Sequence, residues 1–388
     1  MSNLTHKTNL QTLDDPPIRV LAVGQTPPPF HGQAVMFQLL LDGEFKDILL
    51  IHVRMAFSSN IDQVGRLQLG KILHLFAVIL KIIYCRLRYQ PKILYYPPAG
   101  PNFVPLIRDI AILLCTRWMF SKTVFHFQAN GISELMARLP QPWHWLARRS
   151  LREPDGAIEL SALNSGDAEH LNARRIFIVP NATNDEAANR NFSRQPREKH
   201  SPLKLLYLGT VCESKGILVL LDACAMAIGR GSQLRVDVVG SFQPADFQLE
   251  VEQRITNLNL QNVVTLRGQK TGDAKWERFE SADVFCFPSH YASEGFPCVI
   301  LEAMCFSLPV ISTSWRGIPS IVDSGSTGFL VLIRDSKQLS IEIERLAQDA
   351  ALCSRLGNAG RQKYVDLFTA DKHIALMRQV FRDVAGAD

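Results

Sequence analysis

Short runs of β-branched and aliphatic residues alternate with helix-length amphipathic segments along the whole chain. This is the pattern of a parallel sheet whose strands are joined by crossover helices. In the first half the pattern predicts strands at Ile18–Val23, Ile48–Val53, Ile93–Tyr96, Thr123–Phe127, Gly156–Leu160 and Ile176–Val179. Helices are expected between them at about Gln33–Leu41, Leu69–Arg88, Val104–Phe120, Ile132–Arg149 and Ser161–Asn172. The segment Asn181–Pro202 then turns polar and irregular, a linker by composition. A second series follows, with strands at Lys204–Leu208, Leu234–Val239, Val263–Leu266, Val284–Phe287, Val310–Ser312 and Phe329–Leu332. Its helices are expected at Gly216–Ile228, Phe247–Asn257, Gly272–Ser281, Pro297–Phe306 and Ser336–Gln348, with two more before the C-terminus. The fold class is α/β, two doubly wound Rossmann-like domains in tandem. Expected boundaries are 1–180 and 203–366, a linker at 181–202, and a last helix at 367–388 that packs back on the first domain. Open sheets of this kind bind ligands outside the carboxyl ends of their strands. The loops there are the places to look for chemistry, and both domains would present them to a shared central cleft.

A length of 388 residues suits two domains of ordinary size. Hydrophobic residues make up 47% and charged residues 20%, which excludes a disordered chain and a membrane-spanning bundle. Residues Met1–Asp15 are polar and carry no secretory signal pattern, so a cytoplasmic protein is expected. The eight cysteines never form a C-x-x-C pair and sit mostly in apolar runs, as reduced core residues do. The net charge of +5 is unevenly spread: Asn60–Arg152 holds thirteen Lys and Arg against three acids. No nucleic-acid-binding module accompanies these cations, and they are interleaved with apolar stretches. Lys71–Arg86 is such a stretch, apolar but broken by cations and too short to span a bilayer. It reads equally as a buried helix with charged flanks or as a helix lying on an anionic membrane surface.

Four places carry candidate chemistry. The loop after the first strand, Gly24–Gln33, is rich in proline and ends at His31-Gly32, where Gly32 would let backbone amides approach an anion at a helix start. It is neither G-x-G-x-x-G nor a P-loop, which disfavours a dinucleotide-dependent dehydrogenase or an NTPase. His126 near the end of its strand could bond a hydroxyl or oxyanion, although a structural histidine is the more common occupant of such a position. Lys215, beside Gly216 at a helix start and after the Gly209-Thr210 turn, is placed as a diphosphate clamp. The fourth stretch runs Val284-Phe-Cys-Phe-Pro-Ser-His-Tyr-Ala-Ser-Glu294-Gly295-Phe296-Pro297 and on to Glu302. Pro297 is expected in the first helical turn, where its missing N–H costs nothing. A carboxylate accepts paired bonds from a diol, so two acids spaced along one helix suit an elongated ligand with hydroxyls at both ends, such as a nucleotide sugar.

Glu294-Gly-Phe-Pro-x4-Glu302-Ala resembles the Glu-x7-Glu signature of family-4 retaining glycosyltransferases, enzymes of the GT-B fold that include bacterial polysaccharide and lipopolysaccharide transferases. The likeness extends in order through Ala282–Ser289, Gly317–Val331 and Val179-Pro-Asn181, and the Gly32 loop and His126 fall where the family has them. The resemblance implies that Glu302 binds the nucleotide ribose and that Glu294 contacts the donor sugar, with the amides of Gly295 and Phe296 and the Pro297 turn beside it. Lys215 would neutralise the diphosphate, with Gly209 and Thr210 lining the same loop. His126 would hold a sugar hydroxyl, and Gly32 would let donor or acceptor come close. It further implies transfer of a hexose from a UDP- or GDP-sugar to a saccharide or lipid-linked saccharide, with retention of configuration and without a metal or other cofactor. One departure stands out: Thr210 occupies the place where many members carry an arginine, and Arg267 and Arg316 are the cations that could compensate. An epimerase or phosphorylase of the same fold, and a non-catalytic assembly partner, remain open at this point.

Overall fold

In the computed structural model the described residues are 16–28, 32–55, 69–164, 166–198 and 201–386. They form two compact units, Met1–Asn181 with Ala370–Asp388, and Ala182–Thr369. The strands of the first unit are β1 (Ile18–Gly24), β2 (Ile48–Arg54), β3 (Ile93–Tyr96), β4 (Lys122–Phe127), β5 (Gly156–Glu159) and β6 (Ile176–Ile178). Its helices are α1 (Gly32–Asp42), α2 (Leu69–Tyr89), α3 (Phe103–Thr116), α4 (Ile132–Ala137), α5 (Trp143–Leu151) and α6 (Asp167–His170). The second unit contains α7 (Glu186–Asn189), β7 (Leu203–Leu208), α8 (Ile217–Gly229), β8 (Leu234–Val239), α9 (Phe247–Asn257), β9 (Val264–Gly268), α10 (Asp273–Ser281) and β10 (Val284–Phe287). It continues through α11 (Cys298–Cys305), β11 (Val310–Thr313), β12 (Gly328–Val331), α12 (Ser336–Gln348) and α13 (Ala350–Leu367), and α14 (Ala370–Ala385) returns to the first unit.

Each unit is built on one six-stranded sheet whose pairings run parallel throughout, ordered β2-β1-β3-β4-β5-β6 in the first and β12-β11-β10-β7-β8-β9 in the second. Central strands buried on both faces need continuous apolar sequence, and β1, β3 and β10 supply it. On one face of the first sheet Val78, Ile82, Leu106, Leu113 and Leu151 close the core. On the other, Phe37 and Leu40 of α1 meet Met377, Val380 and Phe381 of α14. Asp47 ties α14 down by accepting from Arg378 Nε at 2.6 Å and Arg382 Nε at 2.5 Å.

Three stretches differ from the sequence pattern for identifiable reasons. The helix expected over Ile132–Arg149 is two helices, because Pro140 and Pro142 cannot donate into a continuous ladder. Of Ser161–Asn172 only Asp167–His170 is helical. The polar segment read as a linker falls, from Ala182 on, within the second unit, where guanidinium groups hold it. Arg194 donates to the carbonyls of Phe306, Ala282 and Phe279, and Arg197 to those of Ser201 and Ala347. Its polarity comes from these arginines bonding backbone carbonyls. All eight cysteines are free; five are buried and Cys115 is exposed.

The first unit also carries a built-in acid sensitivity. Burial holds His373 at about 4, against an ordinary value near 6.5, while its Nδ1–H donates to the Pro180 carbonyl at 2.7 Å. Burial does the same to His52, helped by the charges of Lys81 and Arg54, and pushes His126 well below its ordinary value. For such depressed histidines the unfolded chain binds protons the fold refuses. Their contribution is whole above the unfolded value and is lost as pH falls from about 6.5 towards 4. His373 alone should lower the unfolding free energy by on the order of 2 kcal/mol between pH 7 and 5. Urea melts at the two pH values check this, and His373→Asn should flatten the difference.

Candidate active site

In the second sheet the chain leaves β7 on one side through β8 and β9, then returns to lay β10 against the opposite edge of β7. The strand order reverses between β7 and β10, and that crevice is where doubly wound sheets bind ligands. The two loops leaving it are 209–216 and 288–297, which hold Lys215 and Glu294. They touch through backbone: the His290 amide donates to the Ser214 carbonyl at 2.8 Å. Gly216, at φ +81°, lies so close to Pro288 that a Cβ would come within 2.1 Å of its carbonyl oxygen. Gly240, at the end of β8, is packed as closely on Gly209, where a Cβ would sit 1.7 Å from the Gly209 oxygen. From β7 the Tyr207 hydroxyl donates to the Thr210 carbonyl at 2.9 Å and fixes the turn from below.

This contact brings together side chains that lie 79 positions apart. Lys215 Nζ donates to Glu294 Oε2 at 2.6 Å, and Ser289 Oγ donates to the same oxygen at 2.6 Å. The ammonium also sits 4.7 Å from the centre of the Tyr291 ring and 5.3 Å from that of Phe287. Both charged groups are largely buried, at 18% and 8% side-chain exposure. An ammonium has three donors and Glu294 uses one, so the geometry leaves Lys215 able to bond an incoming anion without giving up its carboxylate. Behind them the Thr313 hydroxyl donates to the Ser289 carbonyl and the Ser312 hydroxyl to that of Phe287 at 2.6 Å, which fixes the loop to β11.

Pro297 is the N-cap of α11 rather than a residue of its first turn, and no side chain caps that end. Phe296 is buried and packs edge-on against Phe368 at 5.6 Å, so its ring is the anchor that holds Gly295 and Glu294 in place. Glu302 lies on α11 and accepts at Oε1 from Lys275 Nζ at 2.5 Å. Its Oε2 is buried and has no hydrogen-bond partner among the described residues. A buried carboxylate oxygen without a donor is costly, and a ligand hydroxyl arriving there would remove that cost. Ser289 and Lys275 are the members of this constellation that sequence reasoning missed. The only signal for Ser289 was its place in the loop just before Glu294; Lys275 carried none, since it comes from another helix.

The remaining expected positions are placed as follows. Gly32 begins α1, and among the described residues nothing lies within 4 Å of a Cβ built there; Pro29, Phe30 and His31 fall outside the described residues. Arg267 Nε donates to Asp237 at 3.0 Å. His126 is 1% exposed, with Nδ1 at 2.7 Å from the Tyr95 hydroxyl and Nε2 at 2.9 Å from the Gln128 side-chain nitrogen. Burial keeps the ring neutral, and it stacks on His373 at 6.4 Å.

Two Rossmann-like units with parallel sheets of this kind make the GT-B fold, and the chain shares it with HepE of Anabaena, solved in complex with UDP and glucose. That match has a TM-score of 0.66 at 16% identity over 94% of this chain and 100% of the other. More particularly, residues 189–363, all within the second unit, match the family described as "Glycosyl transferases group 1". Two relatives match over about half of this chain. The amylovoran biosynthesis glycosyltransferase AmsK of Erwinia amylovora is 29% identical over 54% of this chain and 49% of its own length. The capsular polysaccharide biosynthesis glycosyltransferase CapM of Staphylococcus aureus is 30% identical over 42% of each chain. The matched stretches thus span about half the length of these relatives or less.

Proposed function

We propose that the protein is a retaining glycosyltransferase that moves a hexose from a UDP- or GDP-sugar to a saccharide or lipid-linked saccharide in the synthesis of a cell-surface polysaccharide. The observation that carries this is the pair of differently prepared acids. Glu294 is held by Lys215 and Ser289, and Glu302 keeps one buried oxygen without a donor among the described residues. A nucleotide sugar answers both, with ribose hydroxyls for Glu302, hexose hydroxyls for Glu294 and a diphosphate between them for Lys215. The positive end of α8, next to Lys215, adds to the pull on the diphosphate. The family that residues 189–363 match supports the reaction class. The UDP and glucose bound by HepE support the donor, and the capsular polysaccharide biosynthesis that CapM is named for supports the product class.

In the chemical step the acceptor hydroxyl oxygen forms a bond to the anomeric carbon on the face the leaving group departs from. The bond from that carbon to the phosphate oxygen breaks, its electron pair goes to the nucleoside diphosphate, and the acceptor proton follows to a phosphate oxygen. Lys215 stabilises the charge that grows on the leaving diphosphate, which is where a positioned cation has most effect. No resident cofactor and no metal enter this reading.

The test is release of UDP or GDP from a panel of nucleotide sugars by the full chain, with saccharide and lipid-linked acceptors. One donor should be consumed in proportion to glycoside formed, and the product should keep the donor's anomeric configuration. Conversion of the donor to a free epimer would indicate an epimerase of the same fold, and no turnover of any donor would leave a non-catalytic partner.

A further inference from the structure

We propose that the outward face of α2 is a docking surface for an anionic lipid leaflet, on which the helix lies flat. The reading is independent of the transferase chemistry, because α2 belongs to the first unit. One side of the helix, Val78, Ile82 and Cys85, closes the core over the sheet. Leu73, Phe76, Leu80, Tyr84 and Leu87 are each between 58% and 70% exposed. At 100° per residue these five fall within an arc of about 80°, opposite the buried side. Scattered exposed leucines are ordinary, but a continuous stripe on a surface helix marks a contact face.

Charge decides what the contact is. α2 has no acidic residue in its 21 positions, and Lys81 and Arg88 border one edge of the stripe, both exposed. A second copy of the chain packed antiparallel on this face in an isologous pair would bring these cations against their equivalents, whereas a leaflet supplies phosphates for them. Arg86 extends the surface by donating to the Met119 carbonyl at 2.7 Å, which holds the turn bearing Trp118. Trp118 is 76% exposed with its indole N–H given to the Cys115 carbonyl, an amphipathic ring of the kind that sits at headgroup level. Among the described residues no helix is long and apolar enough to cross a membrane, and an apolar stripe edged by cations is how a helix rests in the interface.

The experiment is co-sedimentation of the full chain with vesicles of phosphatidylcholine alone and of phosphatidylcholine with phosphatidylglycerol. Wild type should bind the anionic vesicles, and binding should weaken as salt rises. The exposed-face variant Leu73→Ser/Phe76→Ser/Leu80→Ser should partition at least about tenfold less. Lys81→Gln/Arg88→Gln should lose about fivefold per cation on anionic vesicles and almost nothing on neutral ones. Thermal unfolding of each variant establishes that it is folded. Wild type that ignores anionic vesicles, or a folded triple variant that binds as well as wild type, overturns the proposal. So does a wild-type dimer in light scattering that the triple variant disperses, since the stripe then belongs to a second copy.

Discussion

Lys215→Ala is expected to lower nucleoside diphosphate release from the sugar donor by about 10²–10³-fold, the usual effect of removing one preorganised group that meets developing charge. The loss should fall mainly on kcat, because charge on the diphosphate grows as the sugar departs. The substitution also strips Glu294 of its ion pair in a setting where its side chain is 8% exposed. Ser289 still donates to it, so the stability cost should stay at about 1–2 kcal/mol rather than the larger figure for a wholly orphaned buried charge. Folding and chemistry are separated by Lys215→Met/Glu294→Gln, which removes both charges while keeping volume. That pair should regain the lost stability and remain inactive. Recovery of activity in the double variant would mean that Lys215 serves only to neutralise Glu294.

Gly216→Ala should have a large effect on stability. The residue sits at φ +81°, and its Cβ would come within 2.1 Å of the Pro288 oxygen and 2.7 Å of its carbonyl carbon. Both obstacles are backbone, so no rotamer relieves them. Left-handed strain and overlap together cost about 3 kcal/mol, or about 6–12 °C in the melting temperature of a unit this size. Because Gly216 packs the Lys215 loop on the Glu294 loop, the folded fraction should also bind donor more weakly. Gly229→Ala, at the far end of the same helix with nothing within 4 Å of the new carbon, should melt close to wild type. Calorimetry on the two variants makes the comparison.

The alternation of strands and helices was open to reading because buried parallel strands must be apolar on both faces and crossover helices must be amphipathic. Breaks within a helix were less open: apolar periodicity runs on through Pro140 and Pro142 although the ladder cannot. The polar run before β7 misled because its arginines look solvated in sequence while Arg194 and Arg197 bond carbonyls far along the chain. At the candidate site, Glu294, Glu302 and Lys215 are marked in the sequence by loop position and by family likeness. Ser289 and Lys275 owe their roles to packing between separate elements, which residue spacing does not encode. The surroundings of His126 were not legible either: a position at a strand's carboxyl end does not disclose that Tyr95 and Gln128 lie against its two ring nitrogens.

The central claim is that a nucleotide sugar lies along the loops after β7 and β10, with its ribose on Glu302. Calorimetric titration of UDP and of GDP into the full chain, into Glu302→Ala and into Lys215→Ala tests it most directly. One nucleotide should bind wild type, and Glu302→Ala should weaken it by about 2 kcal/mol, near the value of hydrogen bonds to a charged group. Lys215→Ala should weaken it further when the diphosphate is present, and should leave the affinity of the corresponding nucleoside unchanged. Binding of either nucleotide with equal affinity to all three proteins would contradict this placement.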